Sequence, residues 1–548
     1  MELYPNKSQY MVGESVRLFL RTENAEQDPY QIRIMHLDEV IMTRTICAEE
    51  EETGIDLDDR DFSVGGYGVD LIKEERVLCH TAFDVVEDPF ESLRYGFLSD
   101  FEEKDMENGA LEWMRRCHIN LVQFYDWSYR HDHLVSDEAF YTDMMGKPIF
   151  REAVCQKIQK AGKYGMKTMA YGAVYAASKA FYEEHPRWAL FYPDGEPITF
   201  IDVFYIMNIQ EESPWREHLI GQYKEAITQM GFSGIHMDTY GEPKTAKAHL
   251  KDSPEAVYLE EAFPGLIHDT YESLKESMQD PCLVFNNVGN WPVDQTADTD
   301  QKAVYVEVWS PYDRYEHIAK IIREARAFCK DQKPVILAAY LASFRLESIE
   351  RGIRAARLLL AGIISNGAYN LLTGENQAIL TQGYYSDYTK LDRNAANVIC
   401  AYYDFMIRYK ELFYDKCLSD VSMTHFGGDN LEYTTHCDRV DVTPKAGKIW
   451  LIIRQSKSKR VLSLINLCGN DDLWNQGKEE PETIQNIDFS VQINESLEGI
   501  YMASPDAEDQ GMKAVDYQVK DEKQGRFVTF AIPKLTYWTI IEIRGKER

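Results

Sequence analysis

Two acidic residues set in apolar runs carry the clearest chemical signal in this chain: Asp238 in GIHMDTYG and Glu307 in VYVEVW. Burying a carboxylate among apolar neighbours is costly, so the placement argues for use. A facing pair of carboxylates can hydrolyse a glycosidic bond. One attacks the anomeric carbon, while the other protonates the leaving oxygen and then activates water. Asp238, on the shorter arm, suits the nucleophile, and Glu307, with the longer reach, suits the acid and base. Glu242, just before Pro243, is the rival for either role. A retaining mechanism needs the carboxylates about 5–5.5 Å apart, and such a pair shares a proton near neutral pH. This chemistry requires no cofactor and no metal. The sequence contains no nucleophile elbow, phosphate loop, dinucleotide fingerprint or H-E-x-x-H helix. The adjacent trio His131, Asp132 and His133 has the wrong spacing to converge on one ion.

Residues of this kind need a rigid frame, and the middle of the chain supplies one. Short apolar runs at 95–101, 119–127, 166–176, 232–241, 282–289, 303–310, 334–341 and 368–374 alternate with amphipathic stretches. That is the rhythm of a (β/α)₈ TIM barrel, which places its chemistry at the C-terminal ends of its strands. The fourth and sixth strands lie two apart, leaving their backbones about 10 Å from each other, a gap that two inward side chains can close. Among the helices, 252–278 has Asp252 or Ser253 as its cap and Pro254 in its first turn, and 347–365 is strongly amphipathic. The strand ends and their surroundings supply the expected sugar-binding set: Tyr125, Asp126, Trp127, Arg130, His131, Tyr171, His236, Asn287, Trp309, Tyr340 and Glu375. Asn286, Asn290 and Asn376 also sit at these ends.

The flanks read differently. VRLFLRTE and YQIRIMHLD near the start alternate apolar and polar residues, and IWLIIRQ, KRVLSLINL, IDFSVQI, GRFVTFAI and YWTIIEIR follow Tyr414. The expected fold is therefore multidomain: an N-terminal Ig-like β-sandwich (1–92), the catalytic barrel (93–413) and a C-terminal β-sandwich (414–548). The acidic AEEEETGIDLDD segment reads as a solvated turn. A formal net charge of −31 disfavours nucleic acid and anionic membranes as partners while leaving neutral sugars open. No apolar run is long enough to span a bilayer. The opening segment does not read as a signal peptide and the ten cysteines are scattered singly, which together suggest the cytoplasm, or secretion if a signal has been trimmed.

At these residues the sequence resembles glycoside hydrolase family 66, the dextranases and cycloisomaltooligosaccharide glucanotransferases. The similarity lies in INLVQFYDWSYRHD, MKTMAYGAVYAASK, GFSGIHMDTYGE, FNNVG, VYVEVW and GAYNLLTGEN, in that order along the barrel, and in the opening NKSQYMVGESV. The resemblance implies Asp238 as nucleophile, Glu307 as acid/base and Asp126 at the sugar site nearest the cleaved bond. It also implies an α-1,6-linked glucan or isomaltooligosaccharide as partner, cut internally with retention. Cyclising members carry an extra carbohydrate-binding module within the barrel. No such block is visible here between 95 and 410, so the resemblance points to a dextranase-like hydrolase.

Overall fold

The computed structural model describes residues 1–22, 26–48, 50–57, 61–106, 109–251 and 253–546. Eight parallel strands form one sheet in chain order: β1 (Tyr95–Leu98), β2 (Leu121–Phe124), β3 (Lys167–Ala173), β4 (Gly234–Asp238), β5 (Cys282–Val288), β6 (Ala303–Glu307), β7 (Val335–Ala338) and β8 (Tyr369–Asn370). Each lies inside the apolar run that foretold it. The runs are apolar rather than alternating because both faces are covered, and every residue of β1, β2, β6 and β7 is buried. Among the described residues no ladder joins β8 to β1. One bridge between Phe97 and Gly374 brings these edges together. A Cβ on Gly374 would collide with the Phe97 ring, so glycine permits the approach. The result is a nearly closed barrel.

The helix Ile349–Ser365 starts where its cap directs, with the Ser348 hydroxyl accepting from the Arg351 N–H at 3.3 Å. The expected 252–278 helix begins later, at Leu259. Glu255–Tyr258 pairs as a strand with Thr245–Ala248 instead, which takes Pro254 out of any first turn, and Asp252 lies outside the described residues. The acidic segment also differs from a solvated turn. Its Glu52–Asp56 part pairs with Arg17–Arg21, while residues 49 and 58–60 fall outside the described set.

Before the barrel, a three-stranded and a five-stranded sheet share a core that includes Leu18, Ile32, Val69 and Phe83. After it, a seven-stranded and a four-stranded sheet enclose Ile453, Leu464, Phe489 and Ile541. Within these, Leu497–Ala503 and the exposed Tyr517–Glu522 are strands that the sequence patterning did not reveal. Buried ion pairs fasten the first unit to the barrel. Arg94, just ahead of β1, donates to Asp84 at 2.9 Å, and Arg408 donates to Asp70 at 2.7 Å. No helix among the described residues is long and apolar enough to cross a membrane.

Candidate active site

At the C-terminal end of the barrel lies a cavity of about 880 Å³, lined by residues from the ends of β2 to β8 and the loops that follow them. Asp238 closes β4 and Glu307 closes β6, and both face this cavity. Between them stands Asn286 of β5. Its Nδ2 donates to Asp238 Oδ1 at 2.7 Å and to Glu307 Oε2 at 3.0 Å. The two oxygens that share this amide are therefore at most 5.7 Å apart, the sum of those lengths. Each carboxylate has a further tyrosine donor. Tyr171 Oη donates to Asp238 Oδ2 at 2.6 Å, and Tyr340 Oη donates to Glu307 Oε1 at 2.7 Å.

No cation lies within ion-pair distance of Glu307 among the described residues, and the nearest ring nitrogen to Asp238 is His236 Nε2 at 4.0 Å. Burial pushes His236 down to about 3, so its ring is neutral. Burial, and then the Glu307 charge, pushes Asp238 up to about 7 against the bonds from Asn286 and Tyr171. Glu307 is raised as well, by burial, with Asn286 and Tyr340 opposing. Two carboxyls this close hold one proton between them near neutral pH.

Other expected residues reach the cavity: Tyr125, Asp126, His131, Tyr171, Trp309 and Tyr340. Asp126 has a positive φ of 50°, a strained backbone that turns the chain sharply after β2. Its carboxyl makes no hydrogen bond to protein among the described residues. Burial, and then Asp143 and Asp238, raise it well above the ordinary carboxylate range. His131 is buried, pushed down to about 4 by burial, and its Nδ1 has no partner among the described residues.

Five residues of the expected sugar-binding set do not line the cavity. Trp127 points away from the cavity after the turn at Asp126, fully buried on Phe232 with its Nε1 donating to the Tyr171 carbonyl. Arg130 stacks on Tyr129 and donates to the Tyr129 and Thr142 carbonyls, bracing a loop. His236 lies beneath the cavity floor, hydrogen-bonded to Tyr95 at 2.9 Å. Asn287 shares the outward face of β5 with Phe285, which packs on Phe263. Its amide is used by the Tyr305 carbonyl and the Thr296 hydroxyl. Glu375 is fully buried, accepting from the Ser99 and Asp100 N–H groups and pairing with Lys157 at 3.0 Å. It anchors the end of β1. Glu242 is exposed and outside the cavity.

The sequence reading did not find several wall residues. After β8, Tyr385 stacks on Tyr125 at 4.4 Å, and its hydroxyl lies 3.2 Å from that of Tyr340. Gly383 lies against Glu307, where an added Cβ would be 3.3 Å from its Oε1. Phe200 and Tyr240 stack at 4.2 Å on the opposite wall. Trp474 and Asn475 come from the C-terminal unit. Only the alternation of β5 could have singled out Asn286, because Phe285 beside it occupies the outward, helix-facing side.

The family model described as glycosyl hydrolase family 66 matches residues 5–542. A cycloisomaltooligosaccharide glucanotransferase of Niallia circulans is 21% identical, covering 99% of this chain and 71% of that protein. A dextranase of Streptococcus salivarius is 22% identical over 79% of this chain and 60% of its own length. The fold is shared with a crystal structure of Paenibacillus sp. cycloisomaltooligosaccharide glucanotransferase complexed with cycloisomaltoheptaose, at a TM-score of 0.88, 19% identity and 99% coverage of both chains. With its match running through nearly the whole chain, this protein belongs to glycosyl hydrolase family 66.

Proposed function

We propose that this protein cleaves α-1,6-glucosidic linkages in dextran or isomaltooligosaccharides with retention of configuration. The observation that carries the proposal is the Asp238–Asn286–Glu307 bridge, which keeps two carboxylate oxygens at most 5.7 Å apart, a bound compatible with the roughly 5–5.5 Å that double displacement uses. Asp238, fixed from both sides by Tyr171 and Asn286, attacks the anomeric carbon. Glu307 gives its proton to the leaving oxygen. Bound substrate puts the shared proton on Glu307, because the glycosidic oxygen accepts it there. Positive charge developing at the anomeric carbon favours ionised Asp238. In the second half-reaction Glu307 takes a proton from water, which displaces Asp238 from the sugar. Asp126 and Tyr125 line the site of the glucosyl unit undergoing attack. The linkage follows the names of the relatives, a dextranase and a cycloisomaltooligosaccharide glucanotransferase.

Transfer to a sugar instead of water is the second reading, and the glucanotransferase similarity favours it. Hydrolysis is preferred here because that relative aligns over 707 positions, more than the 548 residues of this chain, and so carries segments this chain lacks. The same reading divides the chain into an Ig-like unit (1–92), the barrel (93–413) and a C-terminal sandwich (414–548).

Azide rescue tests the roles. With an activated α-glucosyl donor, Asp238→Gly should give a β-glucosyl azide by one inversion at the vacated position. Glu307→Ala should give an α-glucosyl azide after two. The opposite products would reverse the assignment, and parent-like turnover in either variant would end it. Faster release of reducing sugar from starch than from dextran would overturn the linkage.

A further inference from the structure

One wall of the cavity is not made by the barrel. Residues 471–478 of the C-terminal unit reach the loop after β6 and are fastened there at several points. Trp474 Nε1 donates to the Tyr312 carbonyl at 2.6 Å, and its N–H donates to the Asp313 carbonyl at 3.1 Å. Asn475 Nδ2 donates to Asp313 Oδ1 at 3.0 Å. Arg314 pairs with Asp472 at 2.5 Å, and the Tyr315 N–H donates to the Asp472 carbonyl at 3.0 Å. On the far side, Gly477 N–H donates to Glu347 at 2.8 Å. The loop thus bridges the segments that follow β6 and β7, and Trp474 and Asn475 line the cavity.

Two features of this wall suit a polar ligand. Asn475 Oδ1 is buried without a hydrogen-bond partner among the described residues, a cost that a hydroxyl donor would relieve. Arg345, also on the cavity wall, has no carboxylate within ion-pair distance among the described residues. Arg345 follows β7 and Asn475 is tied to the loop after β6, so both stand with Trp309 and Tyr340 near Glu307, whereas Tyr125, Asp126 and His131 follow β2. A general acid serves the leaving group, so sugars beyond the cleaved bond lie on its side.

We infer that the 471–478 loop builds the acceptor-side sugar sites, and that Asn475 and Arg345 there set how often a sugar hydroxyl, instead of water, takes the glucosyl unit. The inference rests on Asp238 and Glu307 being the catalytic pair. In the transfer step the bond from the anomeric carbon to Asp238 breaks and a bond to the acceptor oxygen forms. The acceptor's hydroxyl proton passes to Glu307. Asp472, which does not line the cavity, is a positioning residue that holds the loop through Arg314.

The test uses the full chain with isomaltotetraose as both donor and acceptor. Products longer than the donor report transfer, and new reducing ends report hydrolysis. Their ratio is a property of active molecules only, so partial misfolding does not alter it. Asn475→Ala and Arg345→Ala should each lower the ratio roughly fivefold, the size of one lost hydrogen bond, and Asp472→Ala should lower it in the same direction. A ratio within threefold of the parent in both wall variants overturns the inference. Asp238→Ala separates the two levels. If it abolishes both product classes while the wall variants keep the parent ratio, the acceptor wall is wrong. If it leaves both product classes intact, the catalytic reading is wrong.

Discussion

Carboxylates are buried at both ends of this barrel, and their surroundings are opposite. At the interface with the N-terminal unit, Asp84 is held by Arg94 and Asp70 by Arg408 and Arg33, and these guanidinium groups keep both carboxyls below their usual range despite burial. At the other end, Asp238 and Glu307 receive only neutral donors and face each other, and both are raised. An ion pair at the base neutralises buried charge and fixes structure. Leaving the charge uncompensated at the rim costs stability, and under the proposed roles it would keep a proton and a nucleophile available. Glu375, which anchors β1, lies between these cases, because Lys157 pairs with it at 3.0 Å and yet burial still raises its carboxyl.

The sharpest way to break the comparison is Asp238→Asn. Activity on isomaltooligosaccharide should fall roughly 10³-fold or more, the scale of losing covalent catalysis. Stability should move the other way. Asp238 sits at about 7 in the folded state against a reference of 3.8. Its ionisation therefore costs nothing at pH 3 and progressively more as pH rises from about 4 to 7. Thermal denaturation of Asp238→Asn at pH 8 should show a gain of roughly 1 kcal/mol or more over the parent, vanishing near pH 3. A variant less stable than the parent at pH 8 would show that the rim carboxylate is structural.

At the base, Arg94→Met should destabilise by about 3 kcal/mol at pH 7, since buried Asp84 is left with only Gln9 at 3.3 Å and Lys410 at 3.7 Å, while the folded fraction keeps its specific activity. The pH dependence runs in the other direction from the rim. Asp84 and Asp70 are lowered in the folded state, so their contribution is present above pH 4 and is lost as pH falls below it. Chemical denaturation of the parent and of Arg94→Met should differ at pH 7 and begin to converge as pH falls below about 4, because acid then starts to remove the interaction that the variant lacks.

Trp127→Ala and Asp126→Ala sharpen the distinction between framework and site on adjacent residues. Trp127, fully buried on Phe232, should cost about 3–5 kcal/mol of stability, measured by denaturant midpoint. Asp126 should leave the midpoint near the parent value and lower kcat/KM by roughly tenfold, as expected for one lost hydrogen bond to a sugar. A comparable effect is expected at Asn286. Asn286→Ala should lower kcat about tenfold with little change in KM, and should shift both limbs of the pH–rate profile to higher pH, because its amide lowers both carboxyls. An unaltered pH profile would mean that the bridge does not tune the pair.

Much of the frame was legible in the sequence. Parallel strands buried on both faces leave apolar runs, and all eight were visible as such. An acid inside such a run stands out because burying it is expensive, which is why Asp238 and Glu307 could be paired before any coordinates. Less could be read where an element's local pattern was overruled. Glu255–Tyr258 follows a helix-starting proline, yet it pairs with Thr245–Ala248, a partner that local sequence does not name.

The chain alone therefore determined the number and order of the barrel strands and the two acids that end the fourth and the sixth. Only the tertiary structure decided which neighbours serve them. A strand presents successive side chains to opposite faces, so Asn286 or Asn287 is a question of phase, and packing of Phe285 on Phe263 settles it. At Asp126 a single positive φ sends Trp127 into the outer layer. Tyr385, Trp474 and Asn475 reach the cavity across long loops from positions far along the chain, and no local periodicity records contacts made at such separations.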